Sequence, residues 1–186
     1  MDPMFKRFPL GLAGLVGFCL AASLGAAPAG GVRPVKGIEI LAEKDGVRPG
    51  DALKLALRVS LAGEFHVNSH VPSAEYLIPT TFELVAPEGL VASTWEFPKG
   101  KTKKFPFSET PLSIYEGTFV IHGALTAAEG APPGQKEARG TLKYQACTSQ
   151  RCYPPKKEEV AFVVRIVAPG TPVRSLHPEV FPPAAP

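Results

Sequence analysis

In the stretch "DALKLALRVSL", Leu53, Leu55, Leu57, Val59 and Leu61 take every second position, with Lys54, Arg58 and Ser60 set between them. Period two is the side-chain period of a strand, so this segment predicts a half-buried strand with one apolar and one wet face. Ile38 and Ile40 in "KGIEILAE" follow the same rule, as do Phe82 and Leu84 in "TTFELVAP". Val160, Phe162, Val164 and Ile166 in "EEVAFVVRIV" do so as well. Further β-rich segments run through "LVASTWEF", "GTFVIHGALTA" and "GTLKYQAC", and Gly and Pro punctuate them at "RPGD", "APEG", "FPKGK" and "APPGQ". No window of helical length carries an amphipathic stripe. Seven or eight short strands with regular turn signals predict an all-β fold, an immunoglobulin-like antiparallel β-sandwich.

The two ends have another character. Lys6 and Arg7 precede a long uncharged stretch rich in Leu, Ala and Gly, which ends at Ala27-Pro28-Ala29. This is the layout of a secretory signal peptide over residues 1–29, favoured over a retained membrane anchor by its glycines and small-residue end. Phe18 stands where a lipidated Cys19 would need a small residue, so a lipoprotein reading is set aside. Residues 169–186 hold repeated prolines without a period and predict a flexible or extended tail. The domain itself is then residues 30–168, enough for one proper core.

Removing residues 1–29 takes away Asp2, Lys6 and Arg7, so the formal charge falls from +3 to +2. So small a charge gives no reason to expect nucleic acid as a partner. Export has a larger consequence. Cys19 leaves with the leader, and Cys147 and Cys152 remain as an even pair in a compartment where disulfides form and persist.

Both lie in "YQACTSQRCYPP". On the strand "GTLKYQAC", Leu142, Tyr144 and Ala146 share one face, and Lys143, Gln145 and Cys147 the other. With Leu142 and Tyr144 toward the core, Cys147 is expected on the wet face, near the tip of a hairpin whose other arm carries Cys152. A bridge closing so short a loop restrains the unfolded chain by only about 2 kcal/mol, against ~4–5 for a loop near a hundred residues. It is a weak clamp but a reachable bond. Spacing alone leaves two readings open, a hairpin staple and a redox pair.

A closed zinc site is not expected, because two thiols and four histidines with none adjacent in sequence do not assemble four ligands. His66 and His70 in "FHVNSH" lie roughly 13 Å apart on an extended strand and read as polar strand-end residues. His122 falls in a strand and His177 in the tail. Arg151, Lys156 and Lys157 favour a thiolate at Cys152 or simply solvate the loop. Pro154 and Pro155 lack an N–H and stiffen the exit from Cys152. Tyr153 beside them shields the bond or packs.

"YQACTSQRCYPP" resembles the active-site hairpin of the periplasmic N-terminal domain of the DsbD thiol:disulfide interchange proteins. "FHVNSHVPSAEYLIPTTFEL" and "LSIYEGTFVI" fit the same family in the same order, so the resemblance spans most of residues 36 to 167. It implies an immunoglobulin-like sandwich and a thiol:disulfide oxidoreductase module, with Cys147 and Cys152 as the redox pair and no cofactor. Cys152 would form the mixed disulfide with a partner and Cys147 would resolve it. Implied partners are thioredoxin-fold periplasmic proteins of the disulfide isomerase or cytochrome c maturation type. The family's transmembrane and thioredoxin-like domains do not follow here, so a separate membrane or thioredoxin-like electron donor is expected. Better-known members cover the disulfide with an acidic and aromatic loop; the counterpart is expected near "KKFPFSE", with no cover residues assigned. The competing function is an extracytoplasmic interaction domain whose hairpin disulfide is only structural.

Overall fold

The computed structural model describes residues 31–182, so the expected leader lies outside the described residues. Among them the chain forms strands and no helix. The strands are β1 (Val35–Ala42), β2 (Ala52–Leu61), β3 (His66–Asn68), β4 (Thr81–Val85), β5 (Leu90–Ala92) and β6 (Lys101–Lys103). They continue with β7 (Leu112–Glu116), β8 (Thr118–Ala127), β9 (Gly134–Tyr144), β10 (Ala146–Cys147) and β11 (Lys156–Ile166). All the strand pairs are antiparallel, in the orders β1-β2-β8-β5, β10-β3-β7-β6 and β11-β9-β4. The fold is the expected immunoglobulin-like β-sandwich. Its strands outnumber the expected seven or eight because β3, β6 and β10 are only two or three residues long, too short to display a period.

The alternation read in β2 is what fills the core. Leu53, Leu55, Leu57, Val59 and Leu61 are all buried, and they meet Ile121 and Leu125 of β8, Leu142 and Tyr144 of β9, and Val164 and Ile166 of β11. Burying a side chain of this size stabilises by roughly 1.5–3 kcal/mol, so this layer holds the sheets together. Phe82 and Trp95 add an edge-to-face pair with centroids 4.7 Å apart. Two bare backbone positions make room for it. A Cβ on Gly123 would sit 2.6 Å from the Trp95 ring, and one on Gly140 would collide with Phe82.

The segment after β11, expected as a tail, runs along β1, β2 and β8. Leu176 N–H donates to Glu43 O at 2.7 Å, and Arg174 Nε to Asp45 Oδ2 at 2.9 Å. Phe181 meets the His122 ring edge-on at 6.3 Å.

Candidate functional site

The cysteine hairpin is built by a strand that changes sheets. β9 pairs with β11 along its whole length up to Tyr144↔Lys156, but two residues later Ala146 and Cys147 pair with Val67 and His66 of β3. Gln145 is the step between. Its Nε2 donates to Tyr153 O at 3.2 Å, and its Oε1 accepts from Asn68 Nδ2 at 3.5 Å. Pro154 and Pro155, without N–H groups, interrupt the pairing before β11 begins at Lys156.

Beyond the step, Cys147 and Cys152 face each other across an isolated antiparallel bridge and are disulfide-bonded, with Cα atoms 3.9 Å apart. The backbone closes the hairpin on both sides of them. Tyr153 N–H donates to Ala146 O at 2.8 Å, and Thr148 N–H to Arg151 O at 2.9 Å. Thr148 Oγ1 also accepts from the N–H groups of Gln150 and Arg151, at 3.3 and 3.4 Å, so the tip turns on its own hydroxyl cap.

The two sulfur-bearing residues differ in access. Cys152 is exposed, whereas Cys147 is only 1% exposed. This corrects the expectation of a wet Cys147. The facing was read properly, because Ala146 next to it belongs to the core cluster and Cys147 points the other way. That outer side of the β10-β3-β7-β6 sheet is not open, however. On it a second apolar cluster gathers Leu77, Phe105, Leu112 and Ile114, brought in by the loops around residues 69–80 and 104–109. A strand's periodicity reports which way a side chain faces and says nothing of what a distant loop lays over it.

Arg151 and Tyr153 flank Cys152. The Arg151 guanidinium lies over the Tyr153 ring, 4.9 Å from its centroid, and Tyr153 packs edge-on against Phe65 at 5.7 Å. Lys156 Nζ donates to Val32 O, which ties that cation to the backbone; Lys157 is exposed.

His66 is the residue that sequence reasoning missed. Expected as a polar strand-end residue, it lies within β3 at 4% exposure, directly opposite Cys147 on one side and Glu116 of β7 on the other. Phe105 stacks on its ring with centroids 4.2 Å apart, and Phe107 stacks on Phe105 at 5.3 Å. Burial pushes the His66 pKa down to about 4; nearby Lys103 acts in the same sense and Glu116 against it. The "KKFPFSE" segment thus lies next to the cysteine hairpin through His66. A buried polar residue in a three-residue strand leaves no trace in a periodicity. His70, by contrast, is exposed and stacks on Phe97 at 3.9 Å.

A family profile described as "Thiol:disulfide interchange protein DsbD, N-terminal" matches residues 39–164. Among solved structures, the chain resembles the reduced form of the DsbD N-terminal domain from Neisseria meningitidis. The identity is 17%, covering 76% of this chain and 90% of that one, with a TM-score of 0.44. It also resembles the N-terminal periplasmic domain of ScsB from Proteus mirabilis, at 12% identity over 77% of this chain and 49% of that one, with a TM-score of 0.47. No curated protein matches the chain.

Proposed function

This chain belongs to the family of DsbD N-terminal domains, and from that premise we propose that it is a periplasmic module for thiol:disulfide exchange with other proteins. Its redox pair is Cys147 and Cys152, and it passes electrons to disulfide-bonded partners of thioredoxin fold, of the disulfide isomerase or cytochrome c maturation type. The leader over residues 1–29 delivers it to that compartment, and a membrane or thioredoxin-like donor re-reduces it.

The observation that carries this reading is the unequal access of the two cysteines, 1% exposure at Cys147 beside an exposed Cys152. Exchange proceeds by thiolate attack through a mixed disulfide, so one sulfur must meet the partner while the other stays near to finish the reaction. In the reduced domain, Cys152 as thiolate attacks the partner's disulfide, and one partner sulfur leaves with the bonding electron pair. Cys147 then attacks Cys152, the Cys147–Cys152 bond re-forms, and the second partner sulfur departs. The domain loses two electrons and the partner gains them. Arg151 supplies positive charge beside the attacking sulfur.

The energetics lean the same way. Closing this short loop stabilises the fold by only about 2 kcal/mol in the chain-entropy account, little for the one disulfide among the described residues. The test is a redox titration of the Cys19→Ser chain against glutathione buffers, together with partner trapping by a Cys147→Ala variant. A measurable midpoint and a mixed disulfide through Cys152 with a thioredoxin-fold protein are expected. A bond that stays oxidised throughout, with nothing trapped, would establish the purely structural staple instead.

A further inference from the structure

We propose that His66 is the proton acceptor for Cys147 during the resolving step, an inference that rests on the exchange function above. Directly opposed residues on an antiparallel pair stand with Cβ atoms about 4.5–5.5 Å apart on one face, and His66 and Cys147 are such a pair.

The state of the imidazole fits the task. His66 Nε2 is buried without a hydrogen-bond partner among the described residues. Leaving a buried polar atom unpaired costs about 1–3 kcal/mol. In the disulfide form Cys147 has no proton to offer. On reduction its buried thiol gains one, and the residue opposite it on β3 carries an idle acceptor. With its proton on Nδ1, the ring presents Nε2 as an acceptor. Burial holds the imidazole uncharged at neutral pH, with a pKa pushed to about 4, so the accepting form is the one present, although as a weak base it takes the proton only transiently. Stacking on Phe105 keeps the ring from turning away.

The proton's path completes the exchange. Cys147 cannot easily lose its proton to water, because it is buried. As Cys147 attacks Cys152 within the mixed disulfide, its proton moves to His66 Nε2. The Cys147–Cys152 bond forms, the bond from Cys152 to the partner breaks, and the partner sulfur leaves as a thiolate. The imidazolium then gives up its proton to that thiolate or to solvent. Three side chains bear on its charge. Cys147 faces it from β10, Glu116 from β7, and Lys103 at the end of β6 lies close by with its Nζ 2.7 Å from Glu116 Oε2. Lys101 also reaches Glu116, at 3.7 Å. The Glu116 carboxylate favours the transient cation, and Lys103 holds its average charge down.

The experiment uses the full chain in a Cys19→Ser background, reduced and mixed with dithiobis(nitrobenzoic acid), an aryl disulfide. Cys152 attack releases one arylthiolate and Cys147 resolution a second, so the two steps appear as two absorbance phases. His66→Phe preserves an aromatic stack under Phe105, and His66→Gln preserves a hydrogen-bond acceptor that cannot take a proton at neutral pH. Both are expected to leave the first phase within about twofold of the parent and to slow the second at least about tenfold, the low side of what a positioned proton acceptor contributes. In both, the second phase should also climb with pH well past the point where the parent levels off. Full rescue by Gln, or a second phase unchanged in both variants, would overturn the role of His66 while leaving the exchange function standing. A parent chain that releases no arylthiolate would overturn both.

Discussion

The Arg151 guanidinium rests over the Tyr153 ring, 4.9 Å from its centroid, so the two neighbours of Cys152 are held against each other. The contact keeps a positive charge near Cys152, and the charge is partly open to solvent because Arg151 is exposed. Replacing Arg151 with Gln should slow the attack of Cys152 on an aryl disulfide by about two- to fivefold, through a smaller thiolate fraction. Screening shortens the reach of an exposed charge, so the difference should shrink as salt is raised. Stopped-flow rates at low and high ionic strength check both parts.

Unequal burial should appear as unequal alkylation. In the reduced Cys19→Ser chain, iodoacetamide should label Cys152 at least about tenfold faster than Cys147, since a thiol sealed from water is neither ionised nor approached easily. Mass spectrometry after partial labelling reports the ratio. Equal labelling would mean that Cys147 becomes accessible in the reduced state.

The low pKa of His66 has a consequence for stability. Its folded value of about 4 lies below the ordinary 6.5, so between those limits the unfolded chain binds more protons than the folded one. Stability therefore rises with pH across that window and is lost as pH falls from about 6.5 toward 4. The thermal midpoint should drop over this range, and His66→Phe should flatten that part of the profile. Calorimetry at several pH values distinguishes the two curves.

The Phe82–Trp95 pair should be sensitive to a single methyl. Gly123→Ala forces a carbon to within 2.6 Å of the Trp95 ring, and overpacking of this kind costs about 1–3 kcal/mol. Urea denaturation should show a lower midpoint with an unchanged slope. Cys147→Ala with Cys152→Ala should cost about 2 kcal/mol in the same assay, the worth of one short loop closure.

What could be read from the residues was whatever repeats along a strand. Leu53 to Leu61 predicted β2 and its buried face, and Val160 to Ile166 did the same for β11, because each strand is long enough for period two to show. The facing of Cys147 followed from its neighbours, and its partner from the cysteine count. Its burial did not follow, since the loop that brings Phe105 onto His66, the residue opposite Cys147, arrives there only in the folded chain. His66 was invisible for a related reason. Its meaning comes from Cys147 and Glu116, which lie 81 and 50 positions away in sequence and beside it only after folding.

The paired backbone bonds at Ala146–Tyr153 and Thr148–Arg151 join the two arms of the hairpin without any help from sulfur. In the proposed exchange, oxidation and reduction would therefore write their message on a frame already fastened by other means. A docking protein would have to read that message at close quarters, from a few atoms at the hairpin tip, since the distant strands are given little reason to change shape with it.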